Sequence, residues 1–248
     1  MQGNQITLCV LLSACASEPT ALREAPLARE TIELETTKLI IEHNATDEDT
    51  GFQGFVDGAP WRQLEIHSPD RKLALDIAAK GNLRSLGLTE LFFETNEPEN
   101  AEVPIADLLA TMPAGDYDFR ARTIDGLAAE GVATLSHTIP AAPEIVEPAP
   151  NAAVSAESDL VVRWNAVTRS LCDEPVTITH YELIVEVAEQ PDGPGFGSET
   201  YDVHVAAMTT SLRVPHEFLR SGTAYKYEVL AIEARGNQTL SAGTFSTL

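Results

Sequence analysis

Lysine is nearly missing from this chain: Lys38, Lys72, Lys80 and Lys226 are all there are in 248 residues. Together with arginine, the basic residues number 16 against 38 acidic ones, and the net charge is −22. A surface of that sign repels phosphate backbones and anionic headgroups, which excludes nucleic acid and anionic lipid surfaces as ligands. The acidity reads as a solubility device, with a cationic or metal partner as the sharper alternative. Cysteine is scarce as well. Cys9 and Cys15 lie in the first fifteen residues, which leaves Cys172 as the one thiol of the remaining chain. No internal disulfide can form there, so this is not a disulfide-stapled scaffold. Asp173 and Glu174 follow Cys172, and acidic neighbours disfavour the thiolate that a nucleophile requires.

Motifs of catalysis are absent too. There is no His-Glu-x-x-His, no Cys-x-x-Cys, no nucleophile elbow and no phosphate-cradling Gly-Lys-Ser/Thr loop. His43, His67, His137, His180, His204 and His216 are dispersed, with no pair at helical metal-ligand spacing. Asp202 and His204 share one face of a strand, but two ligands fall short of the three or four of a zinc site, so they read as a solvated face. Gly193, Gly195 and Gly197 lead into alternating strand residues and not into a helix, which excludes a dinucleotide loop. Phe196 at the tip of that loop is a candidate contact residue.

What is present is β patterning. Apolar residues make up 44% of the chain, enough for real cores, and the length accommodates two small domains. Leu39 and Ile41 alternate with Ile40 and Glu42. Leu64 and Ile66 precede the turn Ser68–Arg71, and Leu73, Leu75 and Ile77 return, which is a hairpin pattern. A helical turn is expected at Pro104–Leu109, with proline at its permitted first position. Tyr117, Phe119 and Ala121 alternate up to Asp125-Gly126, where a second hairpin turns. Gly115 stands two residues ahead of Tyr117, and Gly222 three ahead of Tyr225, so both halves share one grammar. In immunoglobulin-like folds such a tyrosine bonds back to upstream backbone. The expected fold is all-β: two tandem immunoglobulin-like antiparallel β-sandwiches, at 38–140 and 141–248. Prolines 140, 143, 148 and 150 form an extended, semi-rigid joint between them.

The second half carries a family pattern. It runs through Leu160–Trp164, then Ile178, Tyr181, Leu183 and Val185, then Leu212 and Val214-Pro215. It continues with Leu219, Gly222 and Tyr225, then Val229 and Ala231, Gly236-Asn237, and Phe245 with Thr247. This order resembles a fibronectin type III domain. The resemblance implies that Trp164, Tyr181 and Tyr225 are core residues. A fold of this kind hosts many functions and fixes none.

At the other end, Ile6–Ala14 is an apolar run far short of the roughly 20 residues that span a bilayer. It reads as the apolar part of a secretory signal at 1–14. Its close, Leu12-Ser13-Ala14-Cys15, resembles the lipobox of bacterial lipoproteins, although Met1–Gln5 lacks the usual basic residues. The resemblance implies cleavage before Cys15 and acylation of its thiol. With Ala16 in place of aspartate, it also implies the outer membrane. The alternatives are a plain secretory signal or an apolar tail. Residues 15–37 read as a flexible tether of roughly 25 Å reach.

Two further clusters are candidate sites. Asp47, Asp49 and Asp57 near Gly51 suit calcium, or else are an acidic turn in an acidic protein. No other cofactor is expected. Glu94, Glu97, Glu99 and Glu102 read as a solvated loop. Trp61, with Phe52 and Phe55 among glycines, is either a core closing over a loop or an exposed sugar-stacking platform. The sequons Asn44-Ala-Thr46 and Asn237-Gln-Thr239 carry no meaning in a bacterial host. The leading functional expectation is a non-catalytic, lipid-anchored envelope protein that presents two modules for protein binding, adhesion or spacing. A carbohydrate-binding accessory module is second. A sandwich-loop hydrolase using carboxylates such as Asp47 and Asp49 is third.

Overall fold

The computed structural model describes residues 30–189 and 199–248, and among these it is built of strands with three short helical turns. The first half contains β1 (Thr31–Glu33), β2 (Thr36–Asn44), β3 (Asp49–His67), β4 (Leu73–Ala78), β5 (Leu88–Glu94), β6 (Gly115–Thr123) and β7 (Ala128–Leu135). The second contains β8 (Ile145–Glu147), β9 (Ala152–Val154), β10 (Leu160–Trp164), β11 (Ile178–Val187), β12 (Thr200–Ala206), β13 (Ser211–Val214), β14 (Ala224–Glu233) and β15 (Gln238–Thr247). The chain is an all-β protein of sandwich architecture, as the period-two alternation implies.

The long strand β3 organises the first sandwich. Its first part pairs with β2 on one edge and β5 on the other, and its last part pairs with β6 and β4. The register shifts between Asp57 and Trp61 and again by Gln63, where Gly58, Ala59 and Pro60 bend the strand. One strand therefore serves both layers, a known way to turn the corner of a sandwich. Leu39, Ile41, Phe52, Val56, Leu64, Ile66 and Phe119 meet between the layers. Trp61 sits among them with 0% of its surface exposed. This removes the stacking-platform reading of Trp61: the bend at Pro60 turns the indole inward. The tether expected at 15–37 is also corrected at its end. β1 pairs in parallel with β7, and Leu34 is buried in the first core.

In the second sandwich, a sheet of β13-β10-β8 faces β15-β14-β11-β12. Trp164 and Tyr181 meet across the core with ring centroids 5.4 Å apart, and Tyr225 stacks on Phe245 at 5.0 Å. The Tyr181 hydroxyl accepts from the Val167 amide at 2.7 Å.

Gly115 (φ +139°) and Gly222 (φ +67°) take backbone angles that L side chains rarely adopt, and each delivers a tyrosine into a core. Tyr117 donates to the Pro113 carbonyl at 3.0 Å. Burial, with the charge of Asp70 nearby, pushes its phenol up to about 12, so it remains a donor. The Tyr225 hydroxyl accepts from the Arg220 amide at 2.7 Å. Tyr117→Phe or Tyr225→Phe leaves a part-buried backbone group without its partner, which costs up to about 1–3 kcal/mol. Urea denaturation should show that loss at either position. An unchanged midpoint would mean that the hydroxyl contributes nothing.

Candidate functional site

The two sandwiches do not hang apart on the proline joint. β15 pairs in parallel with β2, matching Gln238 to Glu42, Thr239 to His43 and Leu240 to Asn44. The turn between β14 and β15 carries Asn237, which is 1% exposed, into the side of the first sandwich. Its Oδ1 accepts from the Ile41 amide at 2.9 Å. Its Nδ2 donates to the carbonyls of Ser136 (3.0 Å) and Thr138 (2.9 Å) and to Ser136 Oγ (2.9 Å). Thr239 Oγ1 donates to the Pro140 carbonyl at 2.6 Å, so the joint itself is tied to the second sandwich. Asn237 is thus a structural lock, and a folded chain cannot present it as a sequon.

This pairing makes one outward face from β5, β3, β2, β15, β14, β11 and β12. Strand alternation sorts its residues. Ile41, Phe52 and Val229 point into the cores, so Glu42, Gln53 and Glu228 point out. Gln53 and Gln238 donate to Glu94 and Glu42 respectively. Leu230 and Leu240 are buried although they belong to neither core, and by alternation they lie on this same outward side. They form an apolar floor among the carboxylates. Lys226 is held by Glu186 at 2.6 Å and Glu228 at 3.8 Å.

The electrostatic consequence is strong. Burial, then the charges of Glu94, Glu42 and Asp49, push Glu97 up to about 7. Burial, then Asp202 and the charges of Glu42 and Glu228, push Glu182 up to about 8. Glu42 is raised by burial and by Glu94 and Glu228, against the lowering bond from Gln238. Glu182 on β11 lies directly opposite His204 on β12, with Asp202 one pleat along. One ligand atom from each of the three lies within 4.8 Å of the others, and Glu182 Oε1 is 3.4 Å from His204 Nε2. Asp202 and His204 are exposed, as a solvated face requires, and the strand register adds Glu182 beside them as a third ligand type. Sequence reasoning missed Glu182. The signal was available: Tyr181, Leu183 and Val185 facing inward put Glu182 outward. The register with β12 was hidden because the alternation within each strand does not say which residue of one faces which residue of the other. Glu97 likewise is half-buried and not a solvated loop residue.

The other candidates do not assemble. Asp47 is engaged by Asn44 at 2.9 Å. Asp49 and Asp57 lie eight residues apart on β3, roughly 25 Å at strand rise. The three carboxylates cannot close on one calcium ion. Cys15 and Phe196 lie outside the described residues. A shallow cleft of about 540 Å³ opens where the sandwiches meet, lined in part by Lys38, Ile40, Thr179, Ile232 and Arg235. Among the described residues that line it, Thr37 and Thr179 each donate their hydroxyl to a backbone carbonyl.

No family model matches the chain, and no curated protein matches it. Many solved structures align with it, and two of them cover most of its length. The chicken CNTN1 FN1–FN3 domains align at 9% identity and a TM-score of 0.31, over 88% of this chain and 66% of that one. The chain thus spans just under two thirds of that structure. A complex of Dpr11 IG1 with DIP-gamma IG+IG2 aligns at 12% identity and a TM-score of 0.23, over 84% and 96%. At those scores neither adds to the strand pairing, which carries the fold assignment.

Proposed function

We propose that this chain is a non-catalytic, lipid-anchored protein of the bacterial outer membrane. It presents two β-sandwich modules as one stiff unit for protein binding, adhesion or spacing. The observation that carries this reading is the lock around Asn237 and the β2–β15 pairing. A flexible string of modules has no use for a buried four-bonded asparagine between them. A spacer or a composite binding face does, because both depend on fixed relative geometry. The carbohydrate-binding alternative loses its platform, since Trp61 is a core residue.

The anchor is tested by fractionation. Wild-type protein expressed with its own N-terminus should be found in outer membranes and should incorporate labelled palmitate, and Cys15→Ser should do neither. Recovery of unlipidated wild type from the soluble periplasm would overturn the anchor. Stiffness is tested separately by small-angle scattering of the soluble Cys15→Ser protein. A single narrow distribution of sizes is expected, and a broad one would overturn the rigid-unit reading.

A further inference from the structure

Among the described residues, three groups bring three or more metal-ligating side chains together. They differ in chemistry. Glu42, Glu94 and Glu97 are all carboxylates, and Gln238 and Gln53 already bond the first two. Asp159, His216 and Glu217 lie on the exposed surface, and the Arg213 guanidinium stands 3.4 Å from Asp159, where it competes with any cation. Glu182, Asp202 and His204 are different. They share the donor set of the Asp159 group, two carboxylates and one imidazole, but hydrogen-bonded strands hold them at fixed register and Glu182 has only 13% of its side chain exposed.

We propose that Glu182, Asp202 and His204 form a divalent transition-metal site, with zinc as the reference ion, on the outward face of the second sandwich. Metal–ligand bonds of about 2.0–2.2 Å place tetrahedral ligand atoms roughly 3.4 Å apart. The Glu182 Oε1 to His204 Nε2 distance already has that value. The Asp202 carboxylate completes the triangle, with one oxygen within 4.8 Å of the other two ligand atoms. Mixed nitrogen and oxygen donors select first-row ions such as zinc, whereas calcium takes six to eight oxygens. Three protein ligands leave a fourth position open to water or to a partner's side chain. The charge environment favours occupancy. His204 faces Glu182 directly across the strand pair, and Asp202 lies one pleat along from it. Proton and metal therefore compete for the same carboxylate. Nothing in this inference depends on the lipid anchor.

The test uses the full chain and zinc alone. Zinc is titrated at pH 7.5 against a chromophoric chelator, and cobalt is substituted to read the coordination by absorption. Wild type should bind one equivalent at this site, with intense visible cobalt bands. His204→Ala should weaken zinc at least about tenfold and abolish the cobalt bands. Glu182→Gln should do the same, and His216→Ala should change neither. His204 has 59% of its side chain exposed, so its removal leaves the fold intact. If Glu182→Gln fails to fold, His204→Ala decides alone. Absent binding in wild type, equal affinity in His204→Ala, or a loss in His216→Ala instead would overturn the proposal.

Discussion

Asn237→Ala is expected to cost about 2–4 kcal/mol and to split one unfolding transition into two. The side chain serves the Ile41 amide and the carbonyls of Ser136 and Thr138, all across the junction. Alanine leaves the Ile41 amide buried without a partner, at about 1–3 kcal/mol, and strips the carbonyls of half-buried Ser136 and exposed Thr138 of theirs at a smaller cost, since water reaches them. Asn237→Asp should be nearly as damaging. A carboxylate keeps the Ile41 bond but cannot donate to two carbonyls. It also places a charge beside Glu233, whose Oε1 already accepts the residue 237 amide at 3.2 Å. The protein supplies its own reporters, since Trp61 lies in one core and Trp164 in the other. In Trp61→Phe and Trp164→Phe backgrounds, urea curves should coincide while Asn237 is present and separate once it is alanine. Coincident curves with an unchanged midpoint in Asn237→Ala would show that the lock couples nothing.

The sandwiches were largely legible in sequence because a strand's inward residues recur every second position. Leu64 and Ile66, Tyr117 and Phe119, and Tyr181, Leu183 and Val185 all pack as that period requires. Trp61 was ambiguous because the bend in β3 interrupts the alternation just where the indole stands. The junction was not legible at all. Glu42 and Gln238 are paired across 196 residues by a parallel contact, and no local pattern encodes such a contact. The four prolines after Ile139 suggested separation, whereas the Pro140 carbonyl is itself a junction acceptor. The acidic face was invisible for the same reason. Its glutamates come from four strands and a loop, each of them unremarkable alone, and only the shared sheet brings Glu42, Glu228 and Glu182 within range of one another.

That face makes stability depend on pH in an unusual direction, which is the second large effect expected. Glu182 and Glu97 titrate in the folded chain at about 8 and about 7, against an ordinary value of 4.5. The folded state therefore binds these protons more tightly than the unfolded state does. Their contribution is fully present below about pH 4.5 and is lost as pH rises through 7 and 8. Glu182, raised further than Glu97, carries the larger share of that loss, which solvent at the edge of the face reduces. The opposite limb is set by Asp70, held down to about 2 chiefly by its bond to Lys72, and by Asp159, lowered by His216. These carboxyls favour the folded state above their unfolded values and lose that advantage in strong acid. Thermal unfolding should therefore give a higher midpoint at pH 5 than at pH 8.5 in metal-free buffer. Glu182→Gln should raise the midpoint at pH 8.5 and flatten the profile, because the amide keeps the shape and removes the repelled charge. Zinc should raise the wild-type midpoint more at pH 8.5 than at pH 5, where the proton holds the carboxyl, and should do little for His204→Ala. A profile for Glu182→Gln parallel to that of wild type would show that Glu182 does not carry the pH dependence.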